Sequence, residues 1–222
     1  MNPTISIVNK SKTVSDADLK SNLAALQKQI TRDFEPAWGW GANLSFDAAK
    51  FDMKMVVRDH ARGDALGFHI EGGKPVGYIF AKDDVEDEGE YTSTLSHELL
   101  EMIADPNVNL YAVGPFPFKG RKEVGFYGLE VCDPVQENYY RIDGVRVQDF
   151  VLPEWFEQYH KKGERKMDHT GALDAPFTLA EGGYADVFSR GRWHSLTGPK
   201  AKPKRQRHRL LARKGKAGLP LK

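Results

Sequence analysis

The chain has 222 residues, of which 40% are hydrophobic and 28% charged, an ordinary globular composition with room for one sizeable core. No apolar run approaches the roughly 18 residues that span a bilayer, and a lone cysteine, Cys132, excludes an internal disulfide. The net charge of +1 conceals an asymmetry: residues 199–222 carry ten Lys or Arg and no acid, leaving 22 bases against 31 acids elsewhere. The pattern is an acidic body, residues 1–198, with a basic tail, residues 199–222. The first thirty residues lack a basic start followed by an apolar stretch, so no signal peptide is read and a cytoplasmic setting is expected.

Thr4 to Val8 alternates weakly and predicts a short strand. Ser15 is a suitable N-cap, and Leu19, Leu23, Leu26, Ile30 and Phe34 recur at steps of three and four. They predict one amphipathic helix ending before Pro36. Strands are expected at Leu44 to Phe46 and Met53 to Val57, and a hairpin from Gly67 to Ala81 around Gly72-Gly73. Lys82 to Glu90 is an acid-rich loop by composition. Thr92 or Ser93 then caps a helix running to Asp105, ended by Pro106. Pro115, Pro117 and Gly120 predict turns, followed by strands near Gly125 to Val131 and Tyr139 to Val147. A short helix is expected over Pro153 to Tyr159 and a loop over Pro176 to Tyr184.

The helix after Thr92 carries the chemistry. In His97-Glu98-Leu99-Leu100-Glu101 the first and last residues lie one above the other, about 6 Å apart along the axis. Both can reach one divalent cation, and Glu98, about 100° around the helix, stands beside it as a general base. From 7 His and 14 Glu in 222 residues, roughly 0.03 such pentads are expected by chance. Zinc is the expected ion, because imidazole and carboxylate both ligate it; a carboxylate in place of a second His makes it a weaker Lewis acid.

A third ligand must come from elsewhere. Glu130 and Asp133 in Glu130-Val131-Cys132-Asp133-Pro134 both qualify, with Asp133 favoured because ligands commonly project from strand ends and turns. Glu130 is the rival or an outer-shell partner. Cys132 reads as a buried small hydrophobe. Asp105, eight residues after His97, can bind metal, orient His97 or close the helix. His69, on the hairpin, is either a catalytic proton donor or a structural histidine.

Ser96 to Pro106 together with Glu130 to Pro134 resembles a group of phage and bacterial proteins viewed as zincin-like metallopeptidase relatives with a His-Glu-x-x-Glu helix. The segments Leu23 to Trp38, Gly67-Phe68-His69 and Glu181-Gly182-Gly183-Tyr184 are similar to that group as well, so the resemblance spans about residues 4 to 188. It implies an α+β, zincin-like fold: a mixed twisted sheet with an N-terminal helix and an active-site helix packed beneath an edge strand. It also implies metal ligation by His97 and Glu101 and a base role for Glu98. The expected function is therefore zinc-dependent hydrolysis of a peptide or protein, the hairpin strand Val76 to Ala81 holding the substrate by strand addition. The alternative is a virion-associated structural component that keeps the fold without turnover. In either case the tail, with Lys204-Arg205-Gln206-Arg207-His208-Arg209, is expected to contact nucleic acid without sequence preference, or a partner protein.

Overall fold

The computed structural model describes residues 2–61, 66–86, 89–118 and 120–199. All of the expected basic tail except Pro199 therefore lies outside the described residues. The chain begins with β1 (Thr4–Asn9), α1 (Asp16–Lys28), a π-helical turn (Gln29–Phe34) and α2 (Glu35–Trp38). Then come β2 (Asn43–Phe46), β3 (Met53–Arg58), β4 (Gly67–Ile70), β5 (Val76–Phe80), α3 (Ala81–Glu86) and α4 (Tyr91–Ala104). The second half holds β6 (Tyr111–Phe118), β7 (Arg121–Gly128), β8 (Tyr139–Ile142), β9 (Val145–Gln148), β10 (Tyr184–Ser189) and β11 (Arg192–Thr197). Two 3₁₀ turns, Asp133–Val135 and Pro153–Phe156, complete it. The fold is mixed α+β, and no described helix is long and apolar enough to cross a membrane.

The first sheet has the order β2-β1-β3-β5-β4. Its β1–β2, β1–β3 and β3–β5 pairs are parallel, and β4 runs antiparallel along one edge. The hairpin expected around Gly72-Gly73 is β4–β5, with His69 opposite Gly77. Its edge is not where the sequence reading put it. Val76–Phe80 pairs on both sides, with Ile79 and Phe80 fully buried, so the free edge belongs to β4. The parallel pairing of β3 with β5, which no local pattern announces, decides this.

The predicted amphipathic stripe is buried at Leu19, Leu26, Ile30 and Phe34, and Ser15 caps α1 by accepting from the Asp18 N–H at 3.1 Å. The helix does not stop before Pro36. At the π turn the Glu35 N–H reaches back to the Ile30 carbonyl, which resets the register and places Pro36 in the first turn of α2. Its missing N–H is tolerated there. The same turn aims Gln29 inward. Its amide donates to the Gln148 carbonyl at 2.8 Å, and its oxygen accepts from Ser96 Oγ at 2.7 Å. Ser96 Oγ in turn accepts from the Gln148 N–H at 3.0 Å. Three hydrogen bonds thus tie the N-terminal helix, α4 and β9 at one buried point.

Other departures have local causes. The acid-rich stretch after Phe80 is helical over α3, where Asp83 accepts from the Ala61 N–H at 2.7 Å. Thr92 and Ser93 lie inside the first turn of α4 rather than capping it; Glu90 holds that position, its carbonyl accepting from Ser93 Oγ at 2.7 Å. Pro115 and Pro117 sit in a strand, β6, at the edge of the second, antiparallel sheet β11-β10-β7-β6. An edge strand accommodates the lost donors. The stretch Tyr139 to Val147 is two strands joined by Asp143-Gly144, both at positive φ, which suits a tight hairpin turn. The hairpin β10–β11 was not anticipated.

Beyond β9, Asp149 and Asp168 are both buried, and Thr170 Oγ1 donates to either carboxyl, at 2.6 Å and 3.0 Å. Burial, reinforced by the neighbouring Asp168 carboxyl, pushes the Asp149 pKa up to about 7. An acid whose pKa is raised on folding binds its proton better in the native state. Its contribution to stability is present below the unfolded value, near 4, and is lost as pH rises towards about 7. Asp149→Asn keeps an acceptor for the Phe150 and Thr170 N–H groups and donates where the acid would. The melting temperature of this variant relative to wild type should rise from pH 5 to pH 8; a difference that stays flat across that range refutes the raised Asp149 pKa.

Candidate metal centre

Helix α4 is buried almost all round, packed between β4 and β5 on one side and the β8–β9 hairpin on another. The apolar residues Leu95, Leu99, Leu100 and Met102 explain part of that burial. The polar stripe is buried too, and this needs a different cause: His97 is 7% exposed, Glu98 2% and Glu101 0%. Ionisable groups at such depth are stable only when paired, neutralised or bound to a cation.

His97 Nε2 lies 3.1 Å from Glu101 Oε2 and 3.2 Å from Asp133 Oδ1. Asp133, fully buried, opens the 3₁₀ turn, with Pro134 fixing the turn behind it. An imidazole nitrogen carries one proton and can satisfy one of these carboxylates well, not both. Ligands on a tetrahedral zinc ion with bonds of about 2.0–2.1 Å stand about 3.4 Å apart. Each of the two separations is close to that edge.

Cys132 belongs to the same place. Its N–H donates to Glu101 Oε1 at 3.3 Å and its thiol approaches the His97 carbonyl at 3.8 Å. Its sulfur and ligand atoms of His97 and Glu101 all lie within 4.8 Å of one another. Sequence reasoning treated this cysteine as a small hydrophobe; its adjacency to Asp133 was the available signal.

The remaining candidates gather on the β4 side. His69 is 6% exposed; its Nδ1 is 3.5 Å from Glu98 Oε2 and its Nε2 is 3.1 Å from the Asp105 carbonyl. Burial disfavours the imidazolium, but the Glu98 carboxylate against the ring and the charges of Glu130, Glu98 and Glu101 outweigh it and raise the His69 pKa. Asp105 closes α4 and accepts from the Asn109 and Leu110 N–H groups at 3.0 and 2.9 Å. Burial raises its pKa against those two bonds, and Glu130 adds to the rise. Of the two rivals for third ligand, Asp133 faces His97 while the charge of Glu130 is felt at His69 and Asp105. Asp105 orients His69 through its carbonyl.

Gly67 explains how close the edge strand comes. A Cβ there would stand 2.7 Å from Glu98 Cγ and 2.9 Å from its Oε1. Only a glycine lets β4 lie against this buried carboxylate.

No family model matches the chain, and neither a curated protein nor a solved structure matches it.

Gly67→Ala should lower stability by about 1–3 kcal/mol through overpacking, read by urea unfolding. Glu98→Ala in that background should recover most of the loss. Additive losses in the double variant would place the clash elsewhere.

Proposed function

We propose that the chain is a zinc-dependent hydrolase with a zincin-like fold, most simply a metallopeptidase, in which His97, Glu101 and Asp133 hold the ion and Glu98 is the general base. The observation that carries this reading is the approach of two buried carboxylates, from two separate elements, to the one nitrogen of His97. When bound, the cation supplies Lewis acidity towards a water and a substrate carbonyl. The chain's own residues do the rest. Glu98, next to His97 on α4 and buried against Gly67, accepts the proton of the attacking water on a carboxylate oxygen and returns it to the leaving amine. His69, anchored on the Asp105 carbonyl, holds Glu98 in place. The free edge of β4, rather than β5, offers backbone groups for an extended peptide. The five-stranded mixed sheet with one antiparallel edge strand beside the helix supports the zincin-like comparison.

Glu98→Gln removes the base but not the three ligands. Cleavage of a peptide library, followed by mass spectrometry, should fall by about 100-fold or more while the tightly bound zinc held by His97, Glu101 and Asp133 is retained. Loss of that tight zinc together with activity would assign Glu98 to the first ion instead.

One observation favours a second reading, a non-catalytic structural component of an assembly. Cys132 offers a further ligand atom within 4.8 Å of those of His97 and Glu101, and structural zinc sites are closed by protein ligands whereas catalytic ones keep a position open. Under the structural reading, Cys132→Ser weakens zinc binding by more than the roughly 10–100-fold typical of losing an outer-shell partner. Under the hydrolase reading, zinc affinity measured by competition with a chelator changes by less than that.

A further inference from the structure

The buried polar residues around α4 form two groups, not one. Ligand atoms of His97, Glu101 and Cys132 lie within 4.8 Å of one another, and so do ligand atoms of His69, Glu98 and Glu101. Glu101 belongs to both. We infer that His69, Glu98 and Glu101 form a second cation site, joined to the first through the shared Glu101 carboxylate, and that it takes a zinc-like dication. The inference rests on the first site being a metal site.

His69 supplies the independent reason. A backbone carbonyl only accepts, so the 3.1 Å contact of His69 Nε2 with the Asp105 carbonyl puts a proton on Nε2. The other ring nitrogen, Nδ1, faces Glu98 Oε2 3.5 Å away, a position that a ring proton or a cation can fill. A histidine whose far nitrogen is fixed by a carbonyl is also the usual arrangement of a metal-ligating imidazole.

Charge points the same way. Glu98, Glu101, Asp105, Glu130 and Asp133 are each no more than 6% exposed, and His69 and His97 are buried among them. Five carboxyl groups thus outnumber two imidazoles, and oxygens remain for a second dication after the first is bound. The second dication enters beside the first and is held more weakly. Its occupancy has a consequence for chemistry: it engages the carboxylate of Glu98 and withdraws it from proton transfer. Metal beyond one equivalent is therefore inhibitory.

The test is calorimetric titration of the full apo chain with zinc chloride alone, checked by metal analysis after dialysis. Wild type should take two equivalents, the second about tenfold or more weaker, and His69→Ala should take one, the tight one. One equivalent in both proteins overturns the second site and leaves the proposed function standing. No equivalent in wild type overturns both. Two equivalents in both proteins place the second ion away from His69 and overturn the inference. Cobalt(II) loading needs no variant and guards against a His69→Ala chain that does not fold. A shared carboxylate couples the two ions, so the electron paramagnetic resonance signal at two equivalents should be weaker than twice that at one. Simple doubling of the signal overturns the bridge.

Discussion

The structure depends on the burial of a carboxylate-rich helix face inside a small core. A helix whose polar stripe faces water needs nothing further, but α4 has no such side: His97, Glu98 and Glu101 are all under 10% exposed. Moving even one unpaired carboxylate to that depth costs several kcal/mol, a large part of the stability of an ordinary domain. Hydrogen bonds from the backbone, such as the Cys132 N–H to Glu101, offset part of this. The imidazoles of His97 and His69 offset more when they carry charge. A cation offsets most, which links the folding problem to the functional one: the arrangement that is expensive without an ion is the one that would bind it.

The rest of the fold reads as a clamp on that helix. From one side β4 presents His69 and, through Gly67, comes within contact of Glu98. From another, the turn after β7 brings Cys132 and Asp133 to Glu101 and His97. The third hold is the hydrogen-bonded junction of Gln29, Ser96 and Gln148, which fixes the rotation of α4 one residue before His97. A helix free to rotate by one residue would turn His97 by about 100° away from Asp133. The π turn that directs Gln29 inward is the local irregularity on which this rotational lock rests.

What the sequence disclosed and what it withheld follow from the range of the forces involved. The α4 helix, its His97 and Glu101 pair and the β4–β5 hairpin were legible because helical period and a Gly-Gly turn are local signals. Asp133 was legible as the favoured candidate because Asp-Pro marks a turn, but its 3.2 Å approach to His97 was not, since that depends on how a distant segment meets the helix. The edge of the sheet was misplaced on β5 for the same reason: the parallel pairing with β3 is non-local. Pro36 and the Pro115, Pro117 pair misled more simply. Each is a breaker by propensity, and each is tolerated where its missing donor falls at a helix start or a sheet edge.

Glu101 is where these lines meet. One of its oxygens takes the Cys132 N–H and the other faces His97, while the same carboxylate stands among the ligand atoms of His69 and Glu98. A histidine at this position would offer a single nitrogen to one ion and nothing to a neighbour. A carboxylate has two oxygens and can bridge, so in the proposed metal site Glu101 would change what can be held as well as the Lewis acidity of a bound ion. The cost is an extra negative charge at the centre of the core, and that charge is what makes a nearby imidazole on the edge strand, His69, valuable as a counterweight or as a ligand.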